Sequence, residues 1–151
     1  MALIYLGLGS NLGDKAANLN EAILQIREKV GTVLKQSSFH ASEAWGYLSE
    51  NEFLNAAVLV DTVLNPFDLL RTTQEIEKTM GRQHKTVNEY ADRIIDIDIL
   101  FYDREIIDCE TLKIPHPLIP VRQFVVAPLT EIAPDFVHPV EGKTIKEFLC
   151  A

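Results

Sequence analysis

Apolar positions along this chain follow two rhythms, one of strands and one of helices. Residues 2–8 (ALIYLGL) form an apolar run that reads as a buried strand, which Gly7, Gly9, Ser10 and Asn11 then break. Leu19, Ala22, Ile23, Ile26 and Val30 follow at helical spacing, with Gly31 as the stop. Residues 32–42 predict a second strand around Val33, Ser37, Ser38 and Phe39. The polar stretch 44–52, with Gly46 between Trp45 and Tyr47, reads as a loop. Residues 53–62 (FLNAAVLVDT) predict a strong strand.

Asn65-Pro66 opens a second helix, with Asn as the cap and Pro at the first helical position. It runs to about Met80, and Gly81 ends it. Leu69, Thr73, Ile76 and Met80 share one face, expected to pack on a sheet, while Leu70, Gln74 and Glu77 lie about a quarter turn round. Residues 83–92 have no period and read as a long polar connection. Residues 93–102 (RIIDIDILFY) are the strongest strand signal in the chain. Beyond them the pattern predicts a short hairpin around 106–107 and 112–114, a Pro-rich loop, and a short helix ending near Ile132. Pro128 is expected in the first turn of that helix and not in its middle. The order β-α-β-β-α-β predicts an α+β fold of ferredoxin-like arrangement, an antiparallel four-stranded sheet with two helices on one face and a C-terminal extension.

The length of 151 residues suits one domain spanning 1–151, and 47% apolar content suits a packed core. A net charge of −8 argues against nucleic acid as a bulk partner. It leaves room for a phosphorylated small molecule met by a local cluster of bases or by a metal ion. Cys109 and Cys150 are far apart and predict two free thiols in a reducing compartment. The apolar start has no basic leader, and no run approaches the ~20 residues of a membrane span, so the expectation is a cytoplasmic protein, off the membrane.

Strand 93–102 carries the most chemistry. Side chains alternate between faces, so Ile95, Ile97, Ile99 and Phe101 are expected on one face, and Ile94, Asp96, Asp98 and Leu100 on the other. The two carboxylates stand on backbones about 7 Å apart. At an effective dielectric of ~20 they repel by about 2 kcal/mol, and Asp is a poor strand former. A divalent cation would compensate, since Mg²⁺ is commonly held by one or two carboxylates plus substrate phosphates. A solvated polar face, or pairing with nearby Arg, is the other reading, and the apolar flanks weigh against full solvation. Arg82, His84, Lys85 and Arg93 bracket the long connection, and Arg122 follows a segment containing His116. Metal, phosphates and Arg clamps recur in phosphoryl-type transfer. Gly7 to Asn11 lacks the Lys and the spacing of a phosphate-binding loop, so it reads as a tight strand-to-helix corner.

Four blocks together resemble the dihydropterin pyrophosphokinases of folate synthesis: LGLGSNLG at 6–13, FLNAAV at 53–58, RIIDIDIL at 93–100, and IPHP at 114–117 with RQF at 122–124. They come in that family's order and span most of the chain. The resemblance implies transfer of the diphosphate of ATP to the hydroxymethyl group of 6-hydroxymethyl-7,8-dihydropterin, with release of AMP. It implies that Asp96 and Asp98 hold two Mg²⁺ ions, and that Asp98 helps to deprotonate the attacking hydroxyl. Arg82 and Arg93 match the family's mobile-loop arginines, which stabilise charge and exclude water. Gln74, Glu77, Lys85, His116 and Arg122 are implied in ATP binding. Ser42, Trp45, Phe53, Asn55 and Phe124 are implied in pterin binding, with the two phenylalanines sandwiching the ring.

The chain departs from the family pattern at Tyr90-Ala91-Asp92, where Trp-Gly-Pro is usual, and at His84, where Arg is common. Phe53 replaces a common Tyr. Lys113 stands where a small hydroxyl residue is common and offers a positive charge of its own. A monomer acting on small molecules is expected. From the residues alone, two other readings stay open: a non-catalytic binding module on the same scaffold, and a different Mg-dependent nucleotidyl or phosphoryl transferase.

Overall fold

A computed structural model describes residues 1–43, 52–81 and 94–150. In chain order the elements are β1 (Ala2–Ser10), α1 (Lys15–Lys29), β2 (Gly31–Gln36), β3 (His40–Ser42), β4 (Phe53–Thr62), α2 (Pro66–Thr79), β5 (Asp96–Tyr102), β6 (Ile107–Asp108), β7 (Lys113–Ile114) and α3 (Gln123–Ile132). Short 3₁₀ turns lie at Ile119–Val121 and Ile145–Phe148. The main sheet runs β2-β4-β1-β5, with every pair antiparallel, and β3 continues beside β4 past the end of β2. This is the α+β, ferredoxin-like order that the hydrophobic pattern predicts.

Both main helices begin as capping chemistry requires. The Asp14 carboxylate accepts from the Ala17 amide at 3.1 Å, and Asn65 Oδ1 accepts from the Asp68 amide at 2.8 Å with Pro66 next in sequence. Their apolar stripes, Leu19, Ala22, Ile23 and Ile26 on α1 with Leu69 and Ile76 on α2, bury against one face of the sheet. That face carries Ile4, Leu6, Leu8, Val58, Val60, Ile95, Ile97 and Ile99.

Among the described residues, the second face is covered along only part of its length. There Tyr5, Ala57, Leu59, Leu100 and Phe101 pack against Ile119, Val125, Val126, Leu129, Ile132 and Ile145. So the C-terminal third forms a third layer and leaves the other end of this face to polar groups.

Four expectations change. Strand β1 runs on through Gly7 and Gly9 to Ser10, so the glycines lie inside the strand and not at its corner. The strand expected over 32–42 is two. Ser37 interrupts it by giving its backbone N–H to Ala57 O and taking the Ala57 amide on its own hydroxyl, both at 2.9 Å. The side chain thus replaces a backbone acceptor in the ladder.

Phe101 does not share a face with Ile95, Ile97 and Ile99. The β1–β5 register slips between Tyr5 and Leu6, so Tyr5 faces Phe101 and Leu6 faces Ile99, with Leu100 as the extra residue of a bulge. The slip puts Leu100 and Phe101 on the same side and returns Tyr102 to the helix-covered side. Pro128 lies in the middle of α3 and not in its first turn, because the helix starts early, at Gln123. The proline offers no amide to the Phe124 carbonyl four residues back, and its ring is buried in the third layer, which offsets part of that loss.

The first residue of β2 comes very close to β4. A Cβ added at Gly31 would sit 2.0 Å from the Asp61 carbonyl oxygen, which is backbone and has nowhere to go. Gly31→Ala is expected to cost about 3 kcal/mol and lower the melting temperature by about 10 °C in a thermal melt. An unchanged melt would mean that β2 and β4 do not approach so closely at Gly31.

Candidate active site

The open end of the second sheet face is built by register. Gly9 stands between Asn55 on β4 and Asp96 on β5, and Gly7 stands between Ala57 and Asp98. On the far side of β4, His40 faces Asn55 and Ser42 faces Phe53. Directly opposed residues share a face, so Ser42, Phe53, Asn55, Asp96 and Asp98 converge on one surface with a glycine floor between them. The floor is tight. A Cβ at Gly9 would lie 3.3 Å from Asn55 Oδ1 and 3.4 Å from the Phe53 ring. The sequence reading missed this role for Gly7 and Gly9. Its signal was present in their two-residue spacing, which matches that of Asp96 and Asp98.

Asn55 is 4% exposed. Its amide nitrogen donates to the His40 carbonyl at 3.1 Å and to Ser42 Oγ at 2.7 Å. With both hydrogens of the NH₂ used on β3, its Oδ1 is turned to the glycine floor as an acceptor.

The start of α3 supplies the opposite wall. Arg122 occupies the helix N-cap and Phe124 the first turn. Arg122 Nη1 is 3.9 Å from Asp98 Oδ2, and its Cζ lies 5.5 Å from the centroid of the Phe124 ring. The guanidinium is therefore held between a carboxylate and an aromatic face, with its side chain 12% exposed.

The outer edge of β5 is pinned between the two aspartates and again just past them. Glu77 on α2 is buried, and its Oε2 accepts from the Ile97 amide at 2.9 Å. Past Asp98, the His116 amide donates to the Leu100 carbonyl at 3.1 Å. So two residues expected near ATP also hold the strand that carries the carboxylates. Gln74, one helical turn before Glu77, is exposed. His116 Nδ1 accepts from the Leu118 amide at 3.2 Å, which leaves the ring proton on Nε2. Burial holds the His116 imidazole pKa down to about 4, the Arg122 guanidinium adds in the same direction, and Asp96 opposes them. Lys113 is engaged elsewhere, with its ammonium 2.6 Å from Asp108 across β6 and β7. Both cysteines are free thiols. Arg82, Lys85, Arg93 and Trp45, with the departures at His84 and 90–92, lie outside the described residues.

The donor set suits a hard divalent ion that keeps open positions. Among the described residues no cluster of three or more His, Cys, Asp or Glu side chains offers a complete cage. Two half-buried carboxylates on one face, over a floor without side chains, match a Mg²⁺ that takes its other ligands from phosphate and water.

A family model described as 7,8-dihydro-6-hydroxymethylpterin-pyrophosphokinase (HPPK) matches residues 5–134. This chain belongs to that family. An Aquifex aeolicus protein named 2-amino-4-hydroxy-6-hydroxymethyldihydropteridine pyrophosphokinase is 41% identical over 148 residues, covering 98% of this chain and 91% of that one. A Porphyromonas gingivalis protein of the same name is 43% identical over 141 residues, covering 92% and 95%. Wild-type Plasmodium falciparum HPPK-DHPS, solved with pteroate, aligns with a TM-score of 0.79 at 18% identity. That alignment covers 97% of this chain and 41% of the other, so the likeness speaks for the fold of less than half of that molecule. Family membership makes the chain an enzyme of the pyrophosphokinase class. Among the described residues no helix is long and apolar enough to cross a membrane.

A folded-state pKa below the ordinary histidine value of about 6.5 means that the unfolded chain binds the proton first. Neutral His116 therefore contributes stability above pH 6.5, and this is lost as pH falls toward about 4. Ring resonances of His116 are expected to titrate near pH 4, and His116→Gln should flatten the pH dependence of urea unfolding in that window. A ring titrating near pH 6.5 would refute the buried, neutral state.

Proposed function

We propose that this chain transfers the β,γ-diphosphate of ATP to the hydroxymethyl group of 6-hydroxymethyl-7,8-dihydropterin in tetrahydrofolate synthesis. The observation that carries this reading is the convergence of Asp96, Asp98 and Arg122 with Asn55 on one open surface, in a chain of the HPPK family. The hydroxymethyl oxygen attacks the β-phosphorus, the bond from that phosphorus to the α,β-bridging oxygen breaks, and AMP leaves. The hydroxyl proton is released in the same step, and Asp98 helps to take it.

Asn55 Oδ1 accepts from a donor on the pterin's polar edge, because its own donors are committed to β3. Phe53 and Phe124 hold the two ring faces. Ser42 steadies Asn55, and Trp45 completes the pocket. Asp96 and Asp98 would hold two Mg²⁺ ions. Bound there, such ions neutralise triphosphate charge and acidify the attacking hydroxyl. Arg122 draws the phosphates to that position while Phe124 restrains its guanidinium. His116, neutral at pH 7, donates one hydrogen bond through Nε2–H. Gln74, Glu77 and Lys85 line the ATP side, and Glu77 also keeps β5 in place. Arg82 and Arg93 would stabilise charge on the transferring group and exclude water. We read the protein as a cytoplasmic monomer.

The test is AMP release from ATP and Mg²⁺, with and without the pterin. AMP is expected only with the pterin. Asp96→Ala and Asp98→Ala are each expected to lower turnover about a thousandfold, or about 4 kcal/mol, with an unchanged melting temperature. Turnover equal to that of the parent in either variant would sink the reading. Gly9→Ala places a methyl against Asn55 and Phe53, so the KM for the pterin should rise several-fold while the KM for ATP stays. Equal effects on both substrates would move the pterin away from the glycine floor.

A further inference from the structure

Glu131 lies on α3 seven residues after Phe124, about two helical turns away and hence on the same side of the helix. Its carboxylate makes a three-point grip on the opposite sheet edge. Oε2 accepts from the Ser38 amide at 2.7 Å, Oε1 accepts from Ser38 Oγ at 2.6 Å, and His40 Nε2 lies 2.9 Å from Oε1. An isolated exposed ion pair contributes little. This grip differs because one acceptor group satisfies a backbone amide, a hydroxyl and an imidazole from residues more than ninety positions away. The Ser38 hydroxyl, followed by His40 and the Ser38 amide, holds the Glu131 pKa down to about 2, so the group is ionised throughout the neutral range.

What the grip holds is β3, a three-residue edge strand that pairs with β4. Its His40 carbonyl and Ser42 hydroxyl are the acceptors that orient Asn55. The other end of the grip is the helix whose first turn carries Phe124. One carboxylate thus links the two walls of the slot, the strand pair bearing Phe53 and Asn55 and the helix bearing Phe124. The break in the strand at Ser37 makes this possible, since it displaces the chain from the ladder just before Ser38.

We propose that Glu131 is a positioning residue for the pterin, setting the gap between Phe53 and Phe124 and the orientation of Asn55 through its bonds to Ser38 and His40. It touches neither substrate. The proposal rests on the pterin reading of the site given above. A carboxylate that only stabilised the third layer would affect both substrates alike and lower the melting temperature.

The experiment is equilibrium binding of 6-hydroxymethyl-7,8-dihydropterin in the presence of a non-hydrolysable ATP analogue, with steady-state kinetics alongside. Glu131→Ala should weaken pterin binding and raise its KM about tenfold, and leave analogue binding and the KM for ATP within twofold. Glu131→Gln, which keeps an acceptor of the same reach, should recover part of the loss. Ser38→Ala, which removes one of the three bonds, should cost about threefold in the same direction. Unchanged pterin affinity in Glu131→Ala, or equal losses for the pterin and the ATP analogue, would overturn the proposal while leaving the pterin reading in place. A parent protein that does not bind the pterin would overturn both.

Discussion

Strand β1 pairs with β4 along its whole length and with β5 along most of it, so its register decides which side chains meet on each face of the sheet. Because side chains alternate, a slip of one residue on either side would send Asn55 or the two aspartates into the helix-covered core. The core guards against that slip. Ile4, Leu6 and Leu8 on β1, with Val58, Val60, Ile97 and Ile99 on its neighbours, fill the interface with α1 and α2, and none of them tolerates water in exchange for its present packing. The apolar face is therefore what holds the polar face in place.

The polar face has a second demand on it. Beside the aspartates the same surface must become apolar again to seat α3 and the 3₁₀ turns. Strict alternation would give β5 only every second residue for that purpose. The bulge at Leu100 presents two successive apolar side chains, Leu100 and Phe101, to the third layer, beginning one step beyond Asp98. The boundary between chemistry and packing on this face thus coincides with the slip in register. Gly7 serves the same boundary, since a Cβ there would come within 3.4 Å of the Leu100 side chain.

Support for the site comes from groups that have structural work as well. Glu77 binds the amide between the two aspartates, and the His116 backbone secures β5 two residues past them. Phe124 and Arg122 stand at the beginning of a helix whose buried side, Val125, Val126 and Leu129, fixes their direction. Such shared duties keep the carboxylates and the guanidinium positioned before any ligand arrives.

Local chemistry was enough to read most elements of this protein in order, the division of residues 32–42 into two strands excepted. Asn65-Pro66 announces α2, the spacing of Leu19, Ala22, Ile23 and Ile26 announces α1, and the alternation in DIDIL puts both aspartates on one face, because capping, helical period and strand period act over a few residues. The four blocks shared with the pyrophosphokinases likewise pointed to the family. What the tertiary structure alone decided are matters between distant strands. The bulge at Leu100 depends on how β5 meets Tyr5 and Leu6, and local alternation had placed Phe101 on the wrong face. The glycines at 7 and 9 read as a corner until β4 and β5 were set beside them. The grip of Glu131 on Ser38 joins residues 93 positions apart and has no periodic trace at all. Periodicity reports the face a residue prefers, while register, bulges and long-range hydrogen bonds depend on which surfaces lie opposite, and that is determined only when the whole core packs.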